Sequence, residues 1–175
     1  MQEQLGMSVR GYATMFAEID EQLVAAGDDA PNLVAIPTGV GSLLQAALQH
    51  YRGPGSAARP AVVSVEADTA ACVFAGVTAG RPVTVATSDT VMAGLNCGTV
   101  STLAWPAISA GLDAALLTTD AATIQAATDL ADLGVDAGPC GAAPLAALRT
   151  VLGGPHADAF RDHVGLTPTS TVVLI

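Results

Sequence analysis

The spacing of apolar residues along the chain predicts alternating helices and strands. Near the start, apolar side chains recur at intervals of three and four residues, the period of one helix face, and Gly27 is placed to end this helix. These side chains are Tyr12, Met15, Phe16, Ile19 and Leu23. Short uninterrupted apolar runs are typical of strands buried on both faces. Such a run occurs at residues 33–36, and further strands are expected at 62–65, 114–117 and 171–175, of which the first and last each contain one Ser or Thr.

The segments between these strands predict further helices and two short strands. Helices are expected at residues 40–50, from Asp68 or Thr69 to Gly80, within 90–112, from an Asp120 N-cap to Gly134, and at 142–152. Short strands are expected near Val135 and at Pro82–Val85, the latter at a sheet edge because proline lacks an amide donor. Strands separated by helices predict a three-layer α/β fold, with a mostly parallel sheet between helices on both faces. We expect one such domain over residues 1–175.

Composition and charge narrow the class of protein. Hydrophobic residues make up 51% of the chain, enough for a large core, and the net charge is −10. This acidic balance argues against nucleic acid and anionic membranes as partners, since both require a basic face. Cys72, Cys97 and Cys140 are widely spaced and predict no metal site. Reduced cysteines and an N-terminus without signal-peptide character favour a cytoplasmic protein.

The chain contains no lysine. All six of its Lys or Arg residues are arginines. Schiff-base catalysis on aldehyde cofactors requires a lysine ε-amino group. An arginine cannot replace that amine, since its guanidinium stays protonated and is not nucleophilic. We therefore expect no catalytic residue of this kind within these 175 residues.

A glycine-containing loop follows the first predicted strand, where parallel sheets bind their ligands. Gly39 and Gly41 let backbone amides approach a ligand closely, and the following helix N-terminus favours a phosphate. Thr38 and Ser42 can add hydroxyl donors. A cradle for one phosphate and a plain tight turn both fit this pattern. A Walker A loop does not, since no Gly-Lys-Ser/Thr follows, and Leu44 replaces the third glycine of a dinucleotide fingerprint.

Other candidate residues each have two interpretations. Cys140, in a turn between a strand and a helix, is either a nucleophile with a lowered pKa or a small residue packed in the turn. Glu66 and Asp68 either contact a ligand or cap the next helix. For four more side chains the sequence favours structural positions. We expect His156 and His163 at the surface, Cys72 and Cys97 buried and inert, and Trp105 in the core or an interface.

Seven segments, taken in order, resemble the C-terminal part of diaminopropionate ammonia-lyase, a fold-type II pyridoxal-phosphate enzyme related to threonine dehydratase and tryptophan synthase β. They lie at residues 11–23, 39–43, 65–72, 81–85, 90–98, 101–105 and 140–143. The most specific of them is Met92-Ala93-Gly94-Leu95-Asn96-Cys97-Gly98. The resemblance implies pyridoxal phosphate as the cofactor. Its phosphate would be held by Gly39, Val40, Gly41, Ser42 and Leu43, and Thr38 is a further candidate cofactor-binding residue.

The resemblance also shows where this chain departs from the family. Cys140 falls where a Ser or Thr usually lies beside the pyridine nitrogen, and Pro139 falls where a Glu is common. The family continues past Ile175 into a loop near the cofactor. Its Schiff-base lysine and substrate-carboxylate loop come from an N-terminal half. We therefore interpret this chain as a C-terminal segment that gives no turnover alone.

Three functions follow from these observations. The first is part of a lyase that converts 2,3-diaminopropionate, or a similar small amino acid, to pyruvate and ammonia, with a missing N-terminal half as a possible partner. The second is a non-catalytic remnant that binds a phosphate ligand or oligomerises; an apolar face without its partner half favours a homo-oligomer. The third is a cysteine-dependent enzyme that uses Cys140.

Overall fold

The structure, a computed structural model, describes residues 2–56 and 58–175, and the side chains from residue 11 onward within these ranges. Four parallel strands form one sheet in the order β3-β2-β1-β4. They are β1 (Leu33–Pro37), β2 (Ala61–Ala67), β3 (Ala114–Thr118) and β4 (Val172–Leu174). This sheet with its helices confirms the predicted α/β class.

Seven helices and one 3-10 turn accompany the sheet in the described ranges. The helices are α1 (Gln2–Ala26), α2 (Ser42–Arg52), α3 (Cys72–Ala79), α4 (Trp105–Gly111), α5 (Asp120–Asp132), α6 (Pro139–Gly153) and α7 (Ala157–Val164). The 3-10 turn is Ala93–Leu95. Among the described residues, no helix combines the length and the apolar character that crossing a membrane requires.

The two faces of the sheet bury separate cores because successive strand residues point in opposite directions. Val34 and Ile36 of β1 pack in the cluster that contains residues of α1, α2 and α4. Leu33 and Ala35 pack in the cluster that contains residues of α6 and α7. Helices therefore cover both faces of β1, and the central strand is buried, as its continuous apolar run predicted.

Neither predicted short strand forms. At Pro82–Val85 the only strand-like contact is an isolated antiparallel bridge from Thr84 to Thr99. A proline at this position donates no amide to a ladder, which leaves too few bonds to extend the bridge. Near Val135, Gly134 ends α5 with a φ of 80°, and the Val135 amide donates to the Leu130 carbonyl at 2.9 Å. Helix termination therefore replaces the expected strand.

Several helix starts differ from the prediction; α2 begins at Ser42 and not near residue 40. Ala71 precedes α3, so neither Asp68 nor Thr69 caps it. Thr119, rather than Asp120, caps α5 by accepting the Ala122 amide, at 3.2 Å.

Helix α6 begins at residue 139 instead of 142, because proline is favoured in the first helical turn. Cys140 therefore lies inside this turn, after a helix and not after a strand. Helix α7 was not predicted; Phe160 and Val164 form its buried face.

Candidate functional site

The loop between β1 and α2 has a backbone that glycine makes possible. Gly41 precedes α2 with a φ of 96°, in the left-handed region that side-chain-bearing residues avoid. A β-carbon there would also lie 2.8 Å from Cδ1 of Ile108. The backbone angle therefore requires glycine at this position, and a side chain would also have to displace the tip of Ile108.

Thr38 anchors the start of this loop. Its buried hydroxyl donates to the Ile36 carbonyl at 2.8 Å, and its amide donates to the Val65 carbonyl at 2.7 Å. Both donors are engaged within the protein. The hydroxyl donor expected from Thr38 is therefore not free for a ligand, and Ser42 carries the other hydroxyl of the segment.

The N-terminus of α2 presents unused amides. Its first backbone bond runs from Gln45 to the Gly41 carbonyl, at 2.8 Å. The amides of Ser42, Leu43 and Leu44 precede this bond and have no acceptor within the described part of the chain. No acidic residue lies in the first turn. Free donors together with the positive end of the helix dipole suit a phosphate.

A second loop, residues 92–98, packs against this cradle. The carbonyl oxygen of Gly94 would lie 2.8 Å from a β-carbon on Gly39, and the Cys97 sulfur would lie 3.0 Å from it. Gly39 is therefore enclosed from two sides. Residue spacing alone did not place this loop in the site. The signal in the sequence that could have placed the loop there was residues 92–98 themselves, the most specific part of the resemblance.

Cys140 reaches the same site from helix α6. Its sulfur lies 3.3 Å from the point that a β-carbon on Gly94 would occupy. The two loops and the start of α6 enclose a cavity of about 290 Å³. Its lining contains all the predicted cofactor residues, which are Thr38, Gly39, Val40, Gly41, Ser42, Leu43 and Cys140. Tyr12, which was predicted only as part of a helix face, also lines it.

Glu66 is a fully buried carboxylate behind this cavity. It accepts the amides of Val73 and Phe74 at 2.7 and 2.8 Å, so it caps α3 from the neighbouring strand. Burial raises the pKa of Glu66 to about 7, against the lowering effect of the two amides. Of the two roles left open for this residue, the structure shows helix capping. Asp68 is exposed and does not cap α3.

The thiols around the cavity differ in environment. Cys72 is fully buried, with its sulfur 3.6 Å from the Gly39 carbonyl oxygen, and burial raises its pKa to about 12. Burial also raises the pKa of Cys97, which is partly exposed and lines the cavity. Cys72 is thus buried as predicted, whereas Cys97 is not.

No histidine lines the cavity, and His156 and His163 are exposed, as predicted. A general base for Cys140 is therefore missing from the described lining. The Trp105 ring packs against Gly76 and is partly buried. Among the described residues, no cluster of three or more His, Cys, Asp or Glu side chains is arranged to hold a metal ion.

Comparison with known proteins finds a matching family model and relatives that are similar in sequence. The family model described as "Pyridoxal-phosphate dependent enzyme" matches residues 6–165. The biosynthetic L-threonine dehydratase of Mycobacterium leprae is 34% identical over 143 residues, which are 80% of this chain and 32% of the dehydratase. The diaminopropionate ammonia-lyase of Salmonella typhimurium is 32% identical over 104 residues, which are 57% of this chain and 26% of that enzyme.

Solved structures show the same fold. The Escherichia coli diaminopropionate ammonia-lyase, in complex with an aminoacrylate-PLP azomethine reaction intermediate, superposes with a TM-score of 0.77 and 24% identity. The match covers 94% of this chain and 43% of that chain. The chain thus spans about a third of the length of the curated threonine dehydratases that it matches.

Proposed function

Because this chain belongs to the family of pyridoxal-phosphate dependent enzymes, we propose that it forms the cofactor-phosphate side of a lyase acting on a small amino acid. The observation that carries the proposal is the single cavity that joins the glycine loop, the residue 92–98 loop and Cys140. The cofactor of the family is pyridoxal phosphate. When bound, it supplies the electron sink for bond cleavage in the amino acid.

The cradle fits one phosphate group. β-Carbons on Gly39 and Gly41 would each lie 2.8 Å from a protein atom, so these two glycines let the loop backbone pack tightly in the shape it has. The free amides of Ser42, Leu43 and Leu44 would bind the phosphate oxygens, and the Ser42 hydroxyl would add a donor. These donors all lie on one short stretch of backbone. This arrangement suits a single phosphate better than a dinucleotide.

Cys140 is the proposed neighbour of the pyridine nitrogen. It lies across the cavity lining from the glycine loop, on the first turn of α6 and against Gly94. A thiol is a weaker hydrogen-bond partner than the hydroxyl that the family usually has at this position. The role of Cys140 would be to orient the cofactor ring and not to attack the substrate.

The amine that anchors the cofactor has to come from outside these 175 residues, since they include no lysine. We propose that a further polypeptide segment supplies it, together with the loop that binds the substrate carboxylate. Relatives of this chain span about three times its matched length. The chain as given would then bind and orient the cofactor without turning over substrate.

The proposed substrate is 2,3-diaminopropionate or a similar small amino acid. With one molecule of water, diaminopropionate would give pyruvate and two molecules of ammonia. Support comes from the names of the relatives, which refer to threonine and to diaminopropionate. Both compounds are small amino acids with a polar group on the β-carbon. The complete lyase would then work on amino acids of this size.

A second candidate is a non-catalytic binder or an oligomerising remnant of the same fold. Exposed apolar side chains favour it, including Val24 and Leu133, each 77% exposed. This protein would bind a phosphate ligand or a second copy and would give no turnover with any added segment. Activity after addition of a lysine-bearing segment therefore separates the two candidates.

Equilibrium dialysis of the purified chain against pyridoxal phosphate tests the proposal, with pyridoxal as the ligand that lacks the phosphate. We expect pyridoxal phosphate to bind more tightly, and inorganic phosphate to compete with it. Equal binding of the two ligands, or binding of neither, would contradict the cradle. Pyruvate formation from diaminopropionate should stay at the level of free cofactor, and turnover above it would overturn the claim of inactivity.

A further inference from the structure

We propose that Glu66 is a positioning residue for the cofactor cradle, because it fixes the start of α3, which in turn holds Gly39 through Cys72. The inference deepens the proposed function and rests on it, since the cradle is the part of the site that Glu66 would hold. Glu66 is not among the side chains that line the cavity. It can therefore act on a bound ligand only through other residues.

The first link joins β2 to α3. Glu66 lies near the carboxyl end of β2 and is fully buried. Ala71, at the N-cap of α3, offers no side-chain acceptor, so the amides of Val73 and Phe74 depend on the Glu66 carboxylate, at 2.7 and 2.8 Å. Loss of an acceptor would leave a buried donor unpaired, which is costly. The carboxylate thus ties the helix start to the strand.

The second link joins α3 to the glycine loop. Cys72 is the first residue of α3, and its thiol donates to the Gly39 carbonyl, with sulfur and oxygen 3.6 Å apart. A thiol is a weak donor, but here it is fully buried, and Gly39 is also confined by Cys97 and Gly94. A shift of the helix start would therefore move Gly39 or separate it from Cys72.

The third link closes a ring of contacts. The Thr38 amide donates to the carbonyl of Val65, the residue before Glu66, at 2.7 Å. Contacts thus run from Glu66 to α3, from Cys72 to Gly39, and from Thr38 back to β2. Glu66 carries the only carboxyl group in this ring. Removal of the carboxylate would loosen the glycine loop where Thr38 anchors it, although Glu66 does not contact the free amides of the loop.

Three variants separate this role from general stability. Glu66→Gln keeps the size of the side chain but replaces one acceptor oxygen by a donor, so one α3 amide loses its partner. Cys72→Ala keeps the bonds from the α3 amides to Glu66 and removes the thiol, which contacts both the Gly39 carbonyl and the Glu66 side chain. Glu18→Gln makes the same change of charge at an exposed position on α1 and serves as the matched control.

Amide exchange measured by NMR on the ligand-free chain tests the links directly. The reporters are the amides of Thr38 and of Ser101, which donates to the Val40 carbonyl at 2.8 Å. The reference is the Asp113 amide, which bonds the Val62 carbonyl at 3.0 Å, toward the other end of β2. In Glu66→Gln and Cys72→Ala we expect exchange at the reporters to quicken about tenfold relative to the reference.

Two results of the exchange experiment would overturn the proposal. One is equal acceleration of reporters and reference, which is the mark of global destabilisation. The other is unchanged exchange at both reporters. If Glu66→Gln does not fold, Cys72→Ala still tests the second link, because this variant keeps the Glu66 carboxylate that caps α3.

Ligand affinity provides a second readout. We expect Glu66→Gln to weaken binding of pyridoxal phosphate about tenfold and to leave pyridoxal binding unchanged, because only the phosphate contacts the cradle. An unchanged ratio of the two affinities would count against the positioning role. A wild-type chain that binds no pyridoxal phosphate would instead contradict the proposed function, and the exchange rates of the ligand-free chain would still decide the role of Glu66.

Discussion

The carbonyl oxygen of Gly94 lies 2.8 Å from the point that a β-carbon on Gly39 would occupy. A contact this short with backbone cannot be relieved by a change of rotamer. The two loops are more than fifty residues apart in sequence. They can pack this closely only because residue 39 has no side chain. The cradle and the residue 92–98 loop form one unit, and a single methyl group would separate them.

Gly39→Ala should therefore damage both stability and cofactor binding. We expect a loss of about 1–3 kcal/mol in the free energy of unfolding, from overpacking against backbone, and weaker binding of pyridoxal phosphate. Denaturant unfolding and equilibrium dialysis measure the two effects. Gly153→Ala is the control, since nothing lies within 4 Å of a β-carbon there and its backbone is helical. Equal results for the two variants would refute the prediction.

The free energy of unfolding should fall with rising pH because of Glu66. Its pKa is raised from 4.5 to about 7 in the folded protein, so the folded state binds this proton more tightly than the unfolded state. Ionisation therefore costs stability between about pH 4.5 and 7, by up to about 3 kcal/mol, with no further change above this range.

Denaturant unfolding of wild type and Glu66→Gln at pH 5 and pH 8 isolates this contribution. The wild type should lose more stability than the variant between the two pH values. An identical loss in both proteins would show that Glu66 does not titrate in this range.

Cys140→Ser should preserve or strengthen cofactor binding. A hydroxyl is a better hydrogen-bond partner than a thiol, and the cavity already accommodates a side chain of this size. We expect an affinity for pyridoxal phosphate up to about tenfold higher, as for one improved hydrogen bond. Cys140→Ala serves as the comparison without a polar group. Weaker binding by the serine variant than by the alanine variant would argue against Cys140 beside the pyridine nitrogen.

Alkylation near neutral pH should distinguish the thiols. Cys140 is partly exposed at the cavity, whereas Cys72 is fully buried with a pKa raised to about 12. Peptide mass spectrometry should find Cys140 modified first and Cys72 modified only after unfolding. Bound pyridoxal phosphate should slow the reaction of Cys140. Early modification of Cys72 in the folded chain would be inconsistent with its burial.

We also predict that the chain self-associates. Several large apolar side chains are exposed, with Val24 and Leu133 the most open of them, and such surface favours association. Sedimentation velocity at several concentrations should show a dimer or a larger species. Leu133→Glu, which changes an exposed position, tests one part of this surface with little expected cost to folding. A monomer at every concentration would contradict the prediction.

Sequence patterns predicted the inner strands β1 and β2 well because these strands are almost entirely buried. An uninterrupted apolar run such as residues 33–36 leaves few alternatives, and β1 formed there. The segment at Pro82–Val85 also contains β-branched residues, but it forms only the single bridge to Thr99, because Pro82 donates no amide and pairing depends on the fold as well as on the segment. Helix α7 was missed because its segment is rich in polar residues, and only Phe160 and Val164 mark its buried face.

The site was predictable only in part. The glycine loop and Cys140 were each visible from local sequence, and the rule that ligands bind at strand ends placed the glycine loop correctly. For Cys140 the expectation depended on a strand near Val135 that does not form. From the sequence, capping of α3 was only one of two possible roles for Glu66. Its carboxylate bonds amides seven and eight residues further along the chain, too far for a local capping pattern to show. The contact between Gly39 and Gly94 depends on tertiary packing, and no local signal revealed it.

The pairing of β1 with β4 has a consequence for the order of folding. The Thr171 amide donates to the Asn32 side chain across 139 residues of sequence, and the Ile175 amide donates to the Ala35 carbonyl. Contacts of such long range form late, because a large loop must close first. During synthesis, the strand that carries the cradle would lack one neighbour until residues 172–174 leave the ribosome. The cofactor site would therefore mature after most of the chain has been made.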